Sequence, residues 1–185
     1  MKQVVQPLAG GPVEVVDVPR PVVGANEVLV QTLASVISSG TEGSLVRLAQ
    51  SGPIAKARSR PDLVRRVLDK AARDGIASAA RAVRDRLDGY LPLGYSAVGI
   101  AVQVGENIDG IEPGTLVATG GAGKANHAEF QAVPGLLCCA VPDGVSVDDA
   151  AFTTMATIAL AVAPGWRRRA ARRERPRSPP SRSTS

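Results

Sequence analysis

The chain has 185 residues, enough for one domain with a sizeable core, and its 44% hydrophobic content with only 3% aromatic residues calls for a core of Val, Ala, Leu and Ile. No apolar run reaches the roughly 20 residues of a membrane span: the longest, 150–163, carries three threonines, and no signal-peptide-like stretch follows Lys2, so the default expectation is the cytoplasm. The formal net charge of +5 comes from the tail, because 167–185 holds eight arginines against one glutamate and the remainder is slightly acidic.

Residues 1–42 read as strands. "VEVVDV" (13–18) and "EVLVQTLASV" (27–36) are β-branched runs separated by the Pro/Gly turn "PRPVVGAN". From 43 to 90 the period becomes helical. Ser59 and Asp62 can form a capping box around Pro61, Leu63, Val64, Val67, Leu68 and Ala71 make one apolar stripe, and Gly75 stops the helix. A second helix carries Ile76, Ala80, Val83 and Leu87 on one face, with Gly89 as terminator. The 11 basic residues from Arg47 to Arg86 fall mostly off the stripe. They make a solvated face, with an anion- or partner-facing surface as the sharper alternative.

Residues 91–141 return to strands: "AVGIAVQV", "TLVAT", "HAEFQAV" and "LLCCAV". Short strands at regular spacing indicate a barrel or sandwich, so the class is mainly β with a helical insert, α+β. Cys138 and Cys139 are adjacent, and strand neighbours point to opposite faces, so reduced core thiols are expected rather than a redox pair. The tail, rich in Arg, Pro and Ser, lacks the apolar residues to fold and reads as disordered. It could hold phosphates by charge, but has no aromatic residue to stack on bases.

Two motifs fail when tested by position. Gly121 and Gly123 begin a G-x-G-x-x-G, yet Asn126 stands at its last position and a β-like run follows where a helix should open. Lys124 follows Gly123 as a P-loop lysine would, but Ala118 and Ala125 occupy the glycine and Ser/Thr positions. These glycines therefore read as barrel turns. His127, the single histidine, has no G-x-S-x-G partner and reads as a surface or strand residue.

Four blocks in order, "SGTE" (39–42), "GYSAVGIAVQVG" (94–105), "GIEPGTLV" (110–117) and "VPDGVSVDDAA" (141–151), resemble the N-terminal GroES-like domain of medium-chain alcohol dehydrogenases and quinone reductases over about residues 1–163. The long basic insert is similar to that of the bacterial bi-domain oxidoreductases. The resemblance implies a partly open β-barrel over 1–150 with a helical insert at 43–90. A linking helix would start in 151–163, toward a nicotinamide-binding domain, and a disordered tail would occupy 164–185. Zinc-dependent members place their catalytic ligands where this chain has Ser39, Tyr95, Ser96 and a residue near Thr154. Neutral hydroxyls are poor zinc ligands, and two cysteines cannot supply a four-cysteine structural site, so no metal is expected. The usual Asp-Arg pair is also replaced, in Gly114-Thr115-Leu116-Val117.

By resemblance to the zinc-free branch, Ser39, Thr41, Tyr95 and Ser96 would be cleft hydroxyls that polarise a substrate carbonyl. No residue is assigned to cofactor binding. NAD(P) is expected only with a Rossmann domain, because after Ala163 the pattern dissolves into the arginine tail, as an out-of-frame reading of GC-rich coding sequence would give. The chain thus reads as the substrate-side domain of a zinc-independent oxidoreductase of small molecules, truncated and inactive alone. Two alternatives stand beside it: a nucleic-acid or polyanion binder using the tail and insert, and a standalone GroES-like interaction module forming a homo-oligomer. No membrane partner is expected.

Overall fold

The computed structural model describes residues 1–51, 58 and 61–163. The proposed cap at Ser59 and the arginine tail lie outside them. Strands β1 (Lys2–Pro7), β2 (Glu14–Asp17), β3 (Glu27–Ser35), β4 (Tyr90–Pro92), β5 (Ser96–Val104), β6 (Leu116–Gly120), β7 (Phe130–Pro134) and β8 (Cys138–Ala140) form two antiparallel sheets. One sheet has the order β2-β1-β4 and the other β7-β3-β5-β6-β8. An isolated bridge between Gln3 and Ala128, with Val4 N–H donating to His127 O at 2.8 Å, ties the first sheet to the loop before β7. The result is the curled, partly open half-barrel expected of the sequence.

The longest pairing is β3 against β5, from Val28–Val104 to Ser35–Ala97, with bulges between Leu29 and Val30 and between Thr32 and Ala34. Such bulges sharpen the local twist and so favour curling. Alternation sends Val28 and Val30 to one interior cluster with Ala101 and Val117, all fully buried. Val98 meets Ala150 and Ala151 in a second cluster, beneath the short helix that follows β8. The bend from β5 to β6 is made by Gly110 and Gly114, with φ of +75° and +94°, values that residues with a Cβ rarely adopt.

Helices α1 (Thr41–Gln50), α2 (Pro61–Asp74) and α3 (Ile76–Leu87) all lie between β3 and β4. Gly75, at φ +87°, separates α2 from α3 as expected. Sequence periodicity did not delimit α1. Its N-cap is Gly40, which has no side chain to signal the start, and Gly43 interrupts its first turn. After β8, α4 (Val147–Ala151) is capped by Ser146, whose Oγ accepts from Asp149 N–H at 3.0 Å. Helix α5 (Thr153–Val162), apolar but for three threonines, buries no residue, leaving Ile158 53% and Val162 78% exposed.

Three local expectations are corrected. The "LLCCAV" strand is only Cys138–Ala140, because Leu136 and Leu137 sit in a 3-10 turn with Leu136 fully exposed. Cys139 is exposed rather than in the core, while Cys138, half-buried, packs on the Val28 cluster. Both thiols are free. His127 is neither on the surface nor in a strand: it occupies a bend before β7, and its side chain is 9% exposed.

Candidate functional site

The turn that leaves β3 and enters α1 carries Ser38, Ser39, Gly40 and Thr41. Its geometry is set by Glu42, which is buried despite its charge. Glu42 Oε1 accepts from Ser38 N–H at 2.8 Å, and Thr41 N–H approaches Ser38 Oγ at 3.4 Å. Ser39 and Thr41 are thereby held with exposed side chains at the first turn of α1.

His127 closes the same corner. Its Nε2 lies 2.8 Å from Glu42 Oε2 and its Nδ1 lies 2.8 Å from Ser35 Oγ, at the end of β3. Buried polar groups need such partners, since an unmade bond would cost the full desolvation penalty, about 1–3 kcal/mol. Gly94 packs directly on this histidine. Its φ is +99°, and a Cβ there would meet His127 N at 2.6 Å and Nδ1 at 3.0 Å. Only glycine fits between His127 and the backbone leading into Tyr95, which is half-buried. The Ser39–Thr41 turn and the Gly94–Tyr95 segment therefore both adjoin His127, one through Glu42 and the other by backbone contact.

Ser96 departs from this group. It is fully buried, and its Oγ donates to Ala151 O at 2.6 Å, which fastens β5 to the end of α4. Its hydroxyl proton is thus spent inside the packing rather than offered to a cleft. Thr154 donates to Thr119 O at 3.4 Å. Among the described residues no group of three or more His, Cys, Asp or Glu side chains gathers where a metal could bind. The donors at Ser39, Tyr95, Ser96 and Thr154 are neutral hydroxyls, two of them already engaged, and do not fit the thiolate, imidazole and carboxylate ligands that zinc takes.

The glycine loop at 121–127 has φ of +109° at Gly121 and +76° at Gly123, and it runs into β7 rather than a helix. No helix N-terminus is therefore presented to a phosphate there. The loop instead borders a cavity of about 420 Å³ lined by Gln3, Lys124, Asn126, Phe130 and Gln131 among others, with none of Ser39, Thr41, Tyr95 or Ser96. Beside it, Arg20 stacks on the Phe130 ring at 3.9 Å. Lys124 Nζ pairs with Glu27 Oε1 at 3.1 Å, and that hydrogen bond, with a second from Gly24 N–H, lowers the Glu27 pKa.

The fold is a GroES-like half-barrel, and it is similar to part of solved quinone oxidoreductases and of a putative zinc-dependent alcohol dehydrogenase. Escherichia coli quinone oxidoreductase complexed with NADPH superposes with a TM-score of 0.55 at 16% identity, over 86% of this chain and 39% of that one. A quinone oxidoreductase from Pseudomonas syringae pv. Tomato DC3000 gives 0.54 at 18%, over 81% and 36%. A putative zinc-dependent alcohol dehydrogenase from Rhizobium etli gives 0.57 at 18%, over 89% and 40%. The chain thus spans about two fifths of the length of these structures. No protein-family model and no curated protein sequence matches it.

Proposed function

We propose that the chain is the substrate-side domain of a zinc-independent, NAD(P)-dependent oxidoreductase acting on a small carbonyl or quinone substrate, and that it is inactive by itself. What supports this reading is the GroES-like half-barrel, together with hydroxyls at positions where, by the resemblance of the sequence, zinc-dependent members would place metal ligands. Ser39 and Thr41, exposed at the head of α1, and Tyr95, at the mouth of β5, are the candidate donors to a developing alkoxide. Ser96 serves this domain as the clasp between β5 and α4. Hydride transfer also needs the nicotinamide held near the substrate carbon, and such positioning is worth roughly 7–11 kcal/mol. That task falls to a Rossmann-type unit, of which the described residues contain neither the strand–glycine–helix turn nor the ribose-binding acid.

The test is a cofactor titration followed by nicotinamide fluorescence, with NADH and NADPH in separate series. No saturation is expected at micromolar protein and sub-millimolar cofactor. A saturable micromolar site that disappears in Thr41→Ala would show that the chain is a cofactor-binding enzyme in its own right.

A further inference from the structure

We propose that Glu42 and His127 are a positioning pair for the Ser39–Thr41–Tyr95 face, with the imidazole fixed as its Nε2–H tautomer; the role as a positioning pair rests on the function proposed above, but the tautomer does not. A carboxylate offers only acceptors, and one Glu42 oxygen already takes the Ser38 N–H at 2.8 Å. The other faces His127 Nε2 at 2.8 Å, so that nitrogen must carry the proton. His127 Nδ1 is then an unprotonated acceptor, and the Ser35 hydroxyl, whose Oγ lies 2.8 Å away, donates to it. The chain of bonds runs Ser35 to His127 to Glu42 to Ser38, and both ring nitrogens and both carboxylate oxygens have a partner.

Its members come from distant parts of the sequence. Ser35 and His127 are 92 residues apart, and Glu42 and His127 are 85 apart. The chain adjoins the segments that carry the candidate hydroxyls. Glu42 is the neighbour of Thr41 and holds the turn through Ser38. Ser35 is the last residue of β3. His127 N–H donates to Leu93 O at 2.8 Å, two residues before Tyr95, and Gly94 lies flat against the ring. A buried carboxylate is by itself weak evidence for stability, but one bonded on both oxygens fixes geometry, because any rearrangement strands a buried charge or donor. His127 does not itself touch the solvent-facing hydroxyls. It acts by holding the elements that carry them.

Nitrogen-15 correlation spectra of the intact chain at pH 7.5, without substrate or cofactor, read the ring directly. The expected pattern is a single ring proton on Nε2, unchanged in Ser35→Ala. In Glu42→Gln both tautomers should be populated. The amides of Ser38, Thr41 and His127 should then exchange about tenfold faster, as the loss of one charged hydrogen bond predicts, while melting remains cooperative. Glu42→Asp, which keeps the charge on a shorter arm, should restore the Nε2–H form only in part. An Nδ1–H tautomer, a doubly protonated ring, or unchanged tautomer and exchange in Glu42→Gln would overturn the pair. Because no ligand is present, failure here leaves the oxidoreductase reading standing, whereas saturable cofactor binding would sink that reading and leave the tautomer untouched.

Discussion

At the scale of single residues, the two cysteines separate by environment though they share a peptide bond. Burial, with a smaller contribution from the neighbouring Cys139, pushes the Cys138 thiol from 9.0 up to about 11, whereas Cys139 is exposed. Thiolates are the nucleophiles, so iodoacetamide at pH 8 should modify Cys139 first and leave Cys138 largely unreacted until the chain unfolds; mass spectrometry of the peptide would show equal labelling if this were wrong. The sign of the linked stability follows. A folded-state pKa above the unfolded one means that the contribution is complete below about pH 9 and is lost as the pH rises toward 11. Denaturation midpoints should fall over that window, and less steeply in Cys138→Ala.

Elements show where sequence was sufficient. Short β-branched and apolar runs bounded by turn residues found β2, β3, β5, β6 and β7, and Gly75, Gly110 and Gly114 fall at turns only glycine makes readily. Two single changes probe these elements. A Cβ at Gly99, in the middle of β5, would overlap Gln31 O of β3, so Gly99→Ala should cost about 2–3 kcal/mol in a chemical melt as the central pair is pushed apart. Ser146→Ala removes the acceptor for Asp149 N–H at the head of α4 and should cost about 1 kcal/mol. A loss below the error of the melt at Gly99 would mean that the β3–β5 register is softer than drawn. What sequence missed was non-local. Nothing in "SGTE" or "NHAEF" tells that Glu42 and His127 meet, because no spacing rule connects residues 85 apart; at most, a lone histidine and a carboxylate in small-residue turns hinted at a polar corner. The bond that Ser96 makes was out of reach for the same reason. Its carbonyl partner, Ala151, lies 55 residues away.

For the whole molecule, α5 is the element out of balance. A helix with so few polar residues is normally buried, yet its Ile158, Leu160 and Val162, and Phe152 at its N-cap, all lie open among the described residues. Under the proposed function this is the surface nearest the nicotinamide-binding half. The basic helices α2 and α3 pack chiefly on each other, and their apolar Val64, Val67, Leu68 and Ile76 remain partly exposed.

The two ends of that helical segment return to the same place. Gln50 Nε2, at the close of α1, donates to Gly11 O at 3.1 Å, and Gly89 O accepts from Leu8 N–H at 3.0 Å, so the chain departs from and rejoins the segment between β1 and β2 within a few residues. In engineering terms the stretch 52–88 is a cassette. Each doubling of a connecting loop costs only about 0.6 kcal/mol in closure entropy, which lets the barrel carry the excursion at little equilibrium expense. The burden falls on time, since β3 must await β5 across it, and long-range pairing is what slows folding. Replacing 52–88 with a short Gly/Ser linker should therefore leave the midpoint of a urea melt nearly unchanged and make refolding faster in stopped flow. A variant that fails to fold, or refolds no faster, would show that the helices are part of the barrel's structure and not its passenger.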